Sequence, residues 1–138
     1  ICDDIISPLG IELEQLYCTN LIKCNTNMLP EDLNRKDKMY IENVFNNCSK
    51  LFEKEVEEVN PRLIISLSGR ALEVLSKKYI GEKMKLQDNF AKMFTLKVAD
   101  KDIPYIPVIH IPKYNKIRER YFPEQTLRLS LLRNRINL

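Results

Sequence analysis

The stretch RLIISLSGRALEVLSKKY, residues 62–79, limits the folds open to this chain more than any other. Its first seven residues, RLIISLS, are a mostly apolar run without regular alternation, the pattern of a strand buried on both faces in a parallel sheet. Pro61 stands before it and disfavours helical geometry at Asn60, so a preceding helix must stop there. Ser68 and Gly69 then open a helix. A strand that turns directly into a helix points backbone N–H groups at whatever lies beyond the strand's C-terminal edge.

Elsewhere helices and apolar strands alternate. Residues 2–9 read as the end of a helix stopped by Pro8 and Gly10. Residues 16–22, LYCTNLI, suit a strand buried on both faces, and the polar segment 25–38 reads as a long loop. From Met39 onward Ile41, Val44, Phe45, Cys48, Leu51, Phe52, Val56 and Val59 recur at steps of three and four, one stripe of an amphipathic helix. KMFTLKV (92–98) alternates like a strand with one exposed face. IPYIPVIHI (103–111) is a further strand, in which Pro104 and Pro107 predict an edge or irregular position. The basic, aromatic stretch PKYNKIRERYF reads as a loop or short helix. Pro123 then stands in the favoured first-turn position of a final helix over 124–136. The predicted class is α/β with a mainly parallel sheet, in one domain over 1–138. Functional groups of such sheets gather beyond the strands' C-terminal ends, and Asn20, Ser68 and His110 all stand at predicted strand ends.

With 44% hydrophobic and 30% charged residues the composition is that of an ordinary globular protein. No apolar run reaches membrane-spanning length, and ICDDIISPLG lacks the basic-then-apolar layout of a signal peptide. The first residue is Ile1 rather than Met, so a further segment upstream is expected. Four cysteines do not make a disulfide framework in a chain of this size, and a reducing, cytoplasmic setting is expected. Cys2 and Cys18 read as packing residues, and the protein is expected to be a monomer. The net charge of +3 hides an asymmetry: residues 1–60 carry −6, residues 61–112 carry +4 and residues 113–138 carry +5. A basic end fits a surface that meets a polyanion, because each neutralised phosphate releases counterions. A solvated helix face would carry the same charge.

A lone histidine at the end of an apolar strand is more often a packed residue than a catalyst. His110, the chain's single histidine, is followed at once by Lys113, Tyr114, Lys116, Arg118 and Arg120. A basic loop with an aromatic beside a strand-end histidine can grip phosphates and wedge a base stack. Asn20 either caps a turn or offers a donor and an acceptor together to a nucleobase edge. Cys48, inside an apolar stripe, reads on its own as a core thiol.

Three segments carry a family resemblance. LYCTNLIKC, then CSKLFEKEVEEVNPRLIISLSGRALEVL, then IPVIHIPKY resemble, in that order, motifs of the uracil-DNA glycosylase superfamily, and within it the iron–sulfur family 4 enzymes. The four-residue step from Asn20 to Cys24 and the thirteen-residue step from Cys48 to Pro61 suit that layout. The resemblance spans nearly the whole chain. It implies a three-layer α/β sandwich around a central sheet, and a repair activity that hydrolyses the N-glycosidic bond of uracil or another damaged base in DNA. By position it implies that Asn20, with Ser68, binds the flipped base. His110 would stabilise negative charge developing on the base as the bond breaks. The segment 112–120 would enter the duplex, with Lys113, Lys116, Arg118 and Arg120 on DNA and Tyr114 stacking or wedging at the tip. Cys24 and Cys48 would be two of the four thiolate ligands of a 4Fe–4S cluster.

The chain also departs from the pattern. HIPK stands where the family carries HPS, with one more residue between histidine and proline, and the segment 25–47 is longer than usual. The C-x-x-C that supplies the remaining ligands is absent from this sequence, as is the Gly-rich first motif with its water-positioning acid. The expectation is therefore of the C-terminal two-thirds of such a protein, in which two thiolates alone leave a cluster incomplete. Two other classes stay open. One is a nucleic-acid- or nucleotide-binding domain of the same fold without the chemistry; the other is an α/β interaction domain whose basic end keeps it soluble.

Overall fold

The computed structural model describes residues 2–22, 38–110 and 116–136. The chain divides into two compact units, Cys18–Asn60 and the remainder, Ile1–Tyr17 with Pro61–Leu138.

In the larger unit β1 (Ile64–Ser66), β2 (Phe94–Val98) and β3 (Lys101–Pro107) form one sheet in the order β1-β3-β2. β1 runs parallel to β3, with Ser66 opposite Pro107. β2 runs antiparallel to β3, from Phe94 opposite Tyr105 to Val98 opposite Lys101. The sheet is mixed, which corrects the expectation of a mainly parallel one. The cause is a two-residue turn: Ala99 and Asp100 have φ values of 50° and 62°. Positive φ at both central residues marks the mirror-image type I hairpin, whose twist matches the strands it joins.

β3 is the central strand of the three, so of the edge or irregular position its prolines predict, the edge is not found. Val108 N–H donates to the Ser66 carbonyl at 2.9 Å, and Ala91 N–H donates to the Pro107 carbonyl at 2.7 Å. Backbone groups of successive strand residues face opposite neighbours, so even-numbered residues here face β1 and odd-numbered ones face β2. Pro104 therefore turns its nitrogen toward β1 at a level where β1 has not yet begun. Pro107 turns its nitrogen toward β2 at a level before Phe94, where β2 has not begun either. Each missing donor falls where no strand stands, and the ladder loses nothing.

Helix α3 (Gly69–Tyr79) follows β1 and contacts β2. The opening segment winds through a π-helical turn, Cys2–Ile6, into α1 (Ser7–Leu9). Gly10 ends it in the left-handed region at φ 69°, and a side chain there would run into the Arg133 guanidinium. After the short α4 (Leu86–Asn89) and the hairpin comes α5 (Arg118–Leu132). Ile5, Ile6 and Leu9 pack with Ile106, Val108 and Ile109 and with Phe122, Leu129 and Leu132 of α5. Full burial of such side chains stabilises by about 1.5–3 kcal/mol each.

Helix α5 begins at Arg118, so Pro123 lies inside it rather than opening it. The entry turn is closed by tight bonds from Glu119 N–H to the Lys116 carbonyl (3.3 Å) and from Arg120 N–H to the Ile117 carbonyl (3.1 Å). Arg118 braces that turn through a salt bridge to Asp4, with its guanidinium 4.1 Å from the Phe122 ring centre.

In the smaller unit α2 (Lys38–Val59) buries Phe45, Cys48, Phe52 and Val56, the predicted stripe, with the rings of Phe45 and Phe52 6.2 Å apart. Leu51 and Val59 of the same stripe are exposed. The helix ends as Asn60 takes φ 50° just before Pro61. The strand expected over 16–22 does not form, and Tyr17, Cys18, Thr19 and Asn20 are exposed. An apolar run becomes a strand where a neighbour completes its ladder, and among the described residues no strand pairs with it. Cys18 therefore does not pack as expected. Among the described residues no helix is long and apolar enough to cross a membrane.

Candidate active site

The parallel pairing of β1 with β3 brings two of the predicted residues to one edge. With Ser66 opposite Pro107, the chain leaves both strands at the same end of the sheet. Ser68 and His110 follow directly, and both are exposed. Ser68 caps α3: its hydroxyl accepts the Ala71 N–H at 3.1 Å and its carbonyl accepts that of Leu72. Such a cap stabilises a helix by about 1 kcal/mol.

The path to His110 is held from two sides. Val108 is tied to Ser66 on the β1 side. On the other side Ile109 N–H donates to Gln125 Oε1 at 2.7 Å, and Gln125 Nε2 donates to the Ile109 carbonyl at 2.9 Å. Gln125 is only 1% exposed. Within the sheet itself the hydroxyls of Ser66 and Tyr105 share a hydrogen bond of 2.5 Å. Burial pushes the Tyr105 phenol up to about 12, outweighing the opposite pull of the Ser66 bond.

The basic residues of α5 divide into two groups. Arg118 is engaged with Asp4 and Phe122. Arg128 donates to the Phe90 carbonyl at 2.9 Å, lies 4.4 Å from the Phe90 ring centre and pairs with Glu124. Both hold the helix to its surroundings. Lys116 and Arg120 are exposed at its start, with Arg120 5.4 Å from the Tyr121 ring centre.

Asn20 is exposed and belongs to the smaller unit. Cys24, Lys113 and Tyr114 lie outside the described residues. Cys48 is 1% exposed on α2, and among the described residues no group of three or more metal-ligating side chains gathers. These residues do not by themselves fit an iron–sulfur cluster. A groove of about 670 Å³ between the opening helix and the C-terminal half of α5 is lined by Asp3, Ser7, Thr126, Ser130 and Arg133, and by none of the predicted site residues.

Sequence reasoning missed Gln125. Its signal is a polar residue in register with Phe122, Leu129 and Leu132, the buried face of α5.

The family model for the uracil DNA glycosylase superfamily matches residues 3–129. The Type-4 uracil-DNA glycosylase of Sulfurisphaera tokodaii is 30% identical over 129 residues, covering 83% of this chain and 51% of that protein. The chain thus spans about half the length of the curated relative it matches. The family match takes in all three strands and both residues at the shared sheet edge, and the chain belongs to the uracil DNA glycosylase superfamily.

Proposed function

We propose that this chain acts in the removal of uracil, or another damaged base, from DNA by hydrolysis of the N-glycosidic bond. One observation carries the reading: in a chain of this superfamily, the only histidine stands exposed just past the central strand, at the edge it shares with Ser68. A base cannot react inside the duplex stack, so its nucleotide is first extruded and its edge read by hydrogen bonds. In this reading the Asn20 carboxamide meets that edge with a donor and an acceptor, and Ser68 adds a hydroxyl. As the bond from the sugar C1′ to the base nitrogen breaks, its electron pair leaves with the base. His110 donates an N–H to the base oxygen that gains the charge, the oxygen of a water closes on C1′, and the proton that water gives up neutralises the released base. A donor aimed where charge develops contributes on the order of 10²–10³ in rate. Lys113, Lys116 and Arg120 neutralise phosphates while Tyr114 wedges the stack. Arg118, engaged with Asp4, supports this surface. A three-layer arrangement in a single domain belongs to the same reading.

The test is abasic-site formation in a uracil-containing oligonucleotide, read by alkaline strand cleavage. The full-length wild-type protein is expected to release uracil, and His110→Ala in it to slow release by about 10²–10³-fold. Asn20→Ala is expected to slow it by about 10–100-fold, the worth of one or two lost hydrogen bonds. Absence of abasic sites with the full-length wild-type protein overturns the catalytic reading. Salt-dependent binding without cleavage would then favour a DNA-binding domain of the same fold.

A further inference from the structure

A buried primary amide is expensive unless its polar atoms are paired. Gln125 meets that condition on a single partner residue: its Oε1 accepts the Ile109 N–H, and its Nε2 donates to the Ile109 carbonyl. An amide side chain presents a carbonyl and an N–H side by side, the same pair of groups that an antiparallel neighbour presents at each hydrogen-bonded rung. On the β2 side of β3 the last backbone partner is Ala91, which donates to the Pro107 carbonyl. Ile109 faces that same side one rung farther on, past the start of β2. Gln125 occupies the rung that β2 leaves vacant.

We propose that Gln125 is a positioning residue for His110. It does not meet the substrate. It extends the ordered path of β3 to the residue before His110, while Val108 is anchored to Ser66 on the other side. The backbone that carries the imidazole is thereby fixed, so that its N–H arrives at one place. The proposal rests on the reading of His110 as the group that meets charge on the base. Its consequence is mechanical as well as chemical. Gln125 lies seven residues after Arg118, about 10 Å along the helix axis. The helix that carries Arg120 in its first turn, with Lys116 just before it, therefore also holds the path to His110.

Gln125→Met keeps the length of the side chain and removes both hydrogen bonds. Four readouts are compared with wild type: single-turnover excision rate, DNA affinity, melting temperature and the NMR signal of the imidazole Cε1–H. That signal is unambiguous because the chain has one histidine. The expected result is an excision rate lower by about 10–100-fold, the effect of a misplaced group. DNA affinity should stay within about twofold, since the lost interaction is made in the transition state. The His110 signal should broaden or split. Leu129→Val, on the same helix and fully buried, lowers the melting temperature while leaving both Gln125–Ile109 hydrogen bonds able to form. If both variants excise at the same rate at equal folded fraction, Gln125 is only structural and the proposal is overturned. Should Gln125→Met not fold, Gln125→Glu, which keeps an oxygen for the Ile109 N–H, is read in the same way. In the wild type the Ile109 amide should exchange as slowly as the core, and fast exchange overturns the proposal whatever the variants do. If the full-length wild-type protein releases no uracil, the catalytic reading fails separately and NMR alone decides. A broadened His110 signal in the variant then supports the clamp, and an unchanged one overturns it.

Discussion

Tyr105 is fully buried with its hydroxyl against Ser66, and its ionisation is pushed from 10.0 up to about 12 by burial. In the unfolded chain the same phenol ionises near its ordinary value. Between pH 10 and about 12 the unfolded state has therefore given up a proton that the folded state keeps. Where the unfolded state binds fewer protons, stability falls as pH rises, here by about 1.4 kcal/mol per pH unit. Below pH 10 this group contributes no pH dependence. Denaturant midpoints measured from pH 9 to 12 should fall in the wild type and fall less steeply in Tyr105→Phe. At neutral pH that variant should be less stable by about 1–3 kcal/mol, because the buried Ser66 hydroxyl loses its partner. Equal slopes for the two proteins would assign the alkaline loss to another group. The candidate site is legible at this scale only in part. Ser68 and His110 were readable because an apolar run stops at each, and parallel pairing then fixes their common edge. Gln125 shows in the sequence as a polar residue on a buried helical face, but the backbone it meets depends on tertiary packing. Arg118 looks like any basic residue of its stretch until Asp4, 114 positions away in the chain, is seen beside it.

The β2–β3 hairpin turns on two residues that lack glycine's freedom. Ala99 and Asp100 both sit at positive φ, where a Cβ crowds the backbone by roughly 1–2 kcal/mol per residue. Asp100→Gly should relieve that crowding and raise stability by about 1 kcal/mol, less whatever glycine adds to the freedom of the unfolded chain. Urea denaturation decides it: a lower midpoint for Asp100→Gly would mean that the aspartate side chain holds the turn. The same pair of residues explains why the sequence predicts a mainly parallel sheet and the structure has a mixed one. Strong hairpin signals are Asn-Gly or Asp-Gly, and Ala99-Asp100 offers neither, so in the sequence the two strands read as members of a parallel set. The run from β1 into α3 was legible because it is a local pattern of apolar strand, capping serine and amphipathic helix. The start of α5 was not, because Pro123 is a strong local signal and the Asp4–Arg118 bridge that steadies the earlier turn is not local. The run 16–22 has strand composition but no neighbour in the sheet, and composition cannot supply one.

Across the whole molecule the charge runs from acidic to basic along the chain, −6 over residues 1–60 and +5 over residues 113–138. The basic side chains at the start of α5 are not equivalent, and a salt series separates them. Lys116→Ala and Arg120→Ala should each flatten the slope of log affinity for DNA against log salt by about one unit. Arg118→Ala should leave the slope nearly unchanged and lower the denaturation midpoint instead, since it removes the brace to Asp4. A slope change for Arg118→Ala equal to the other two would return it to the phosphate contacts. The two prolines of β3 act on the same whole-molecule scale, as a pair of stops on a sliding bolt. A strand that slips by two residues keeps its side chains on their proper faces, so that slip is the misalignment hardest to reject. Moved one way, β3 would bring Pro104 to the place of Ile106, facing β1 with no donor to give. Moved the other way, it would bring Pro107 to the place of Tyr105, opposite Phe94, with the same deficiency toward β2. One proline blocks each direction of travel, and neither weakens the sheet while the bolt is home.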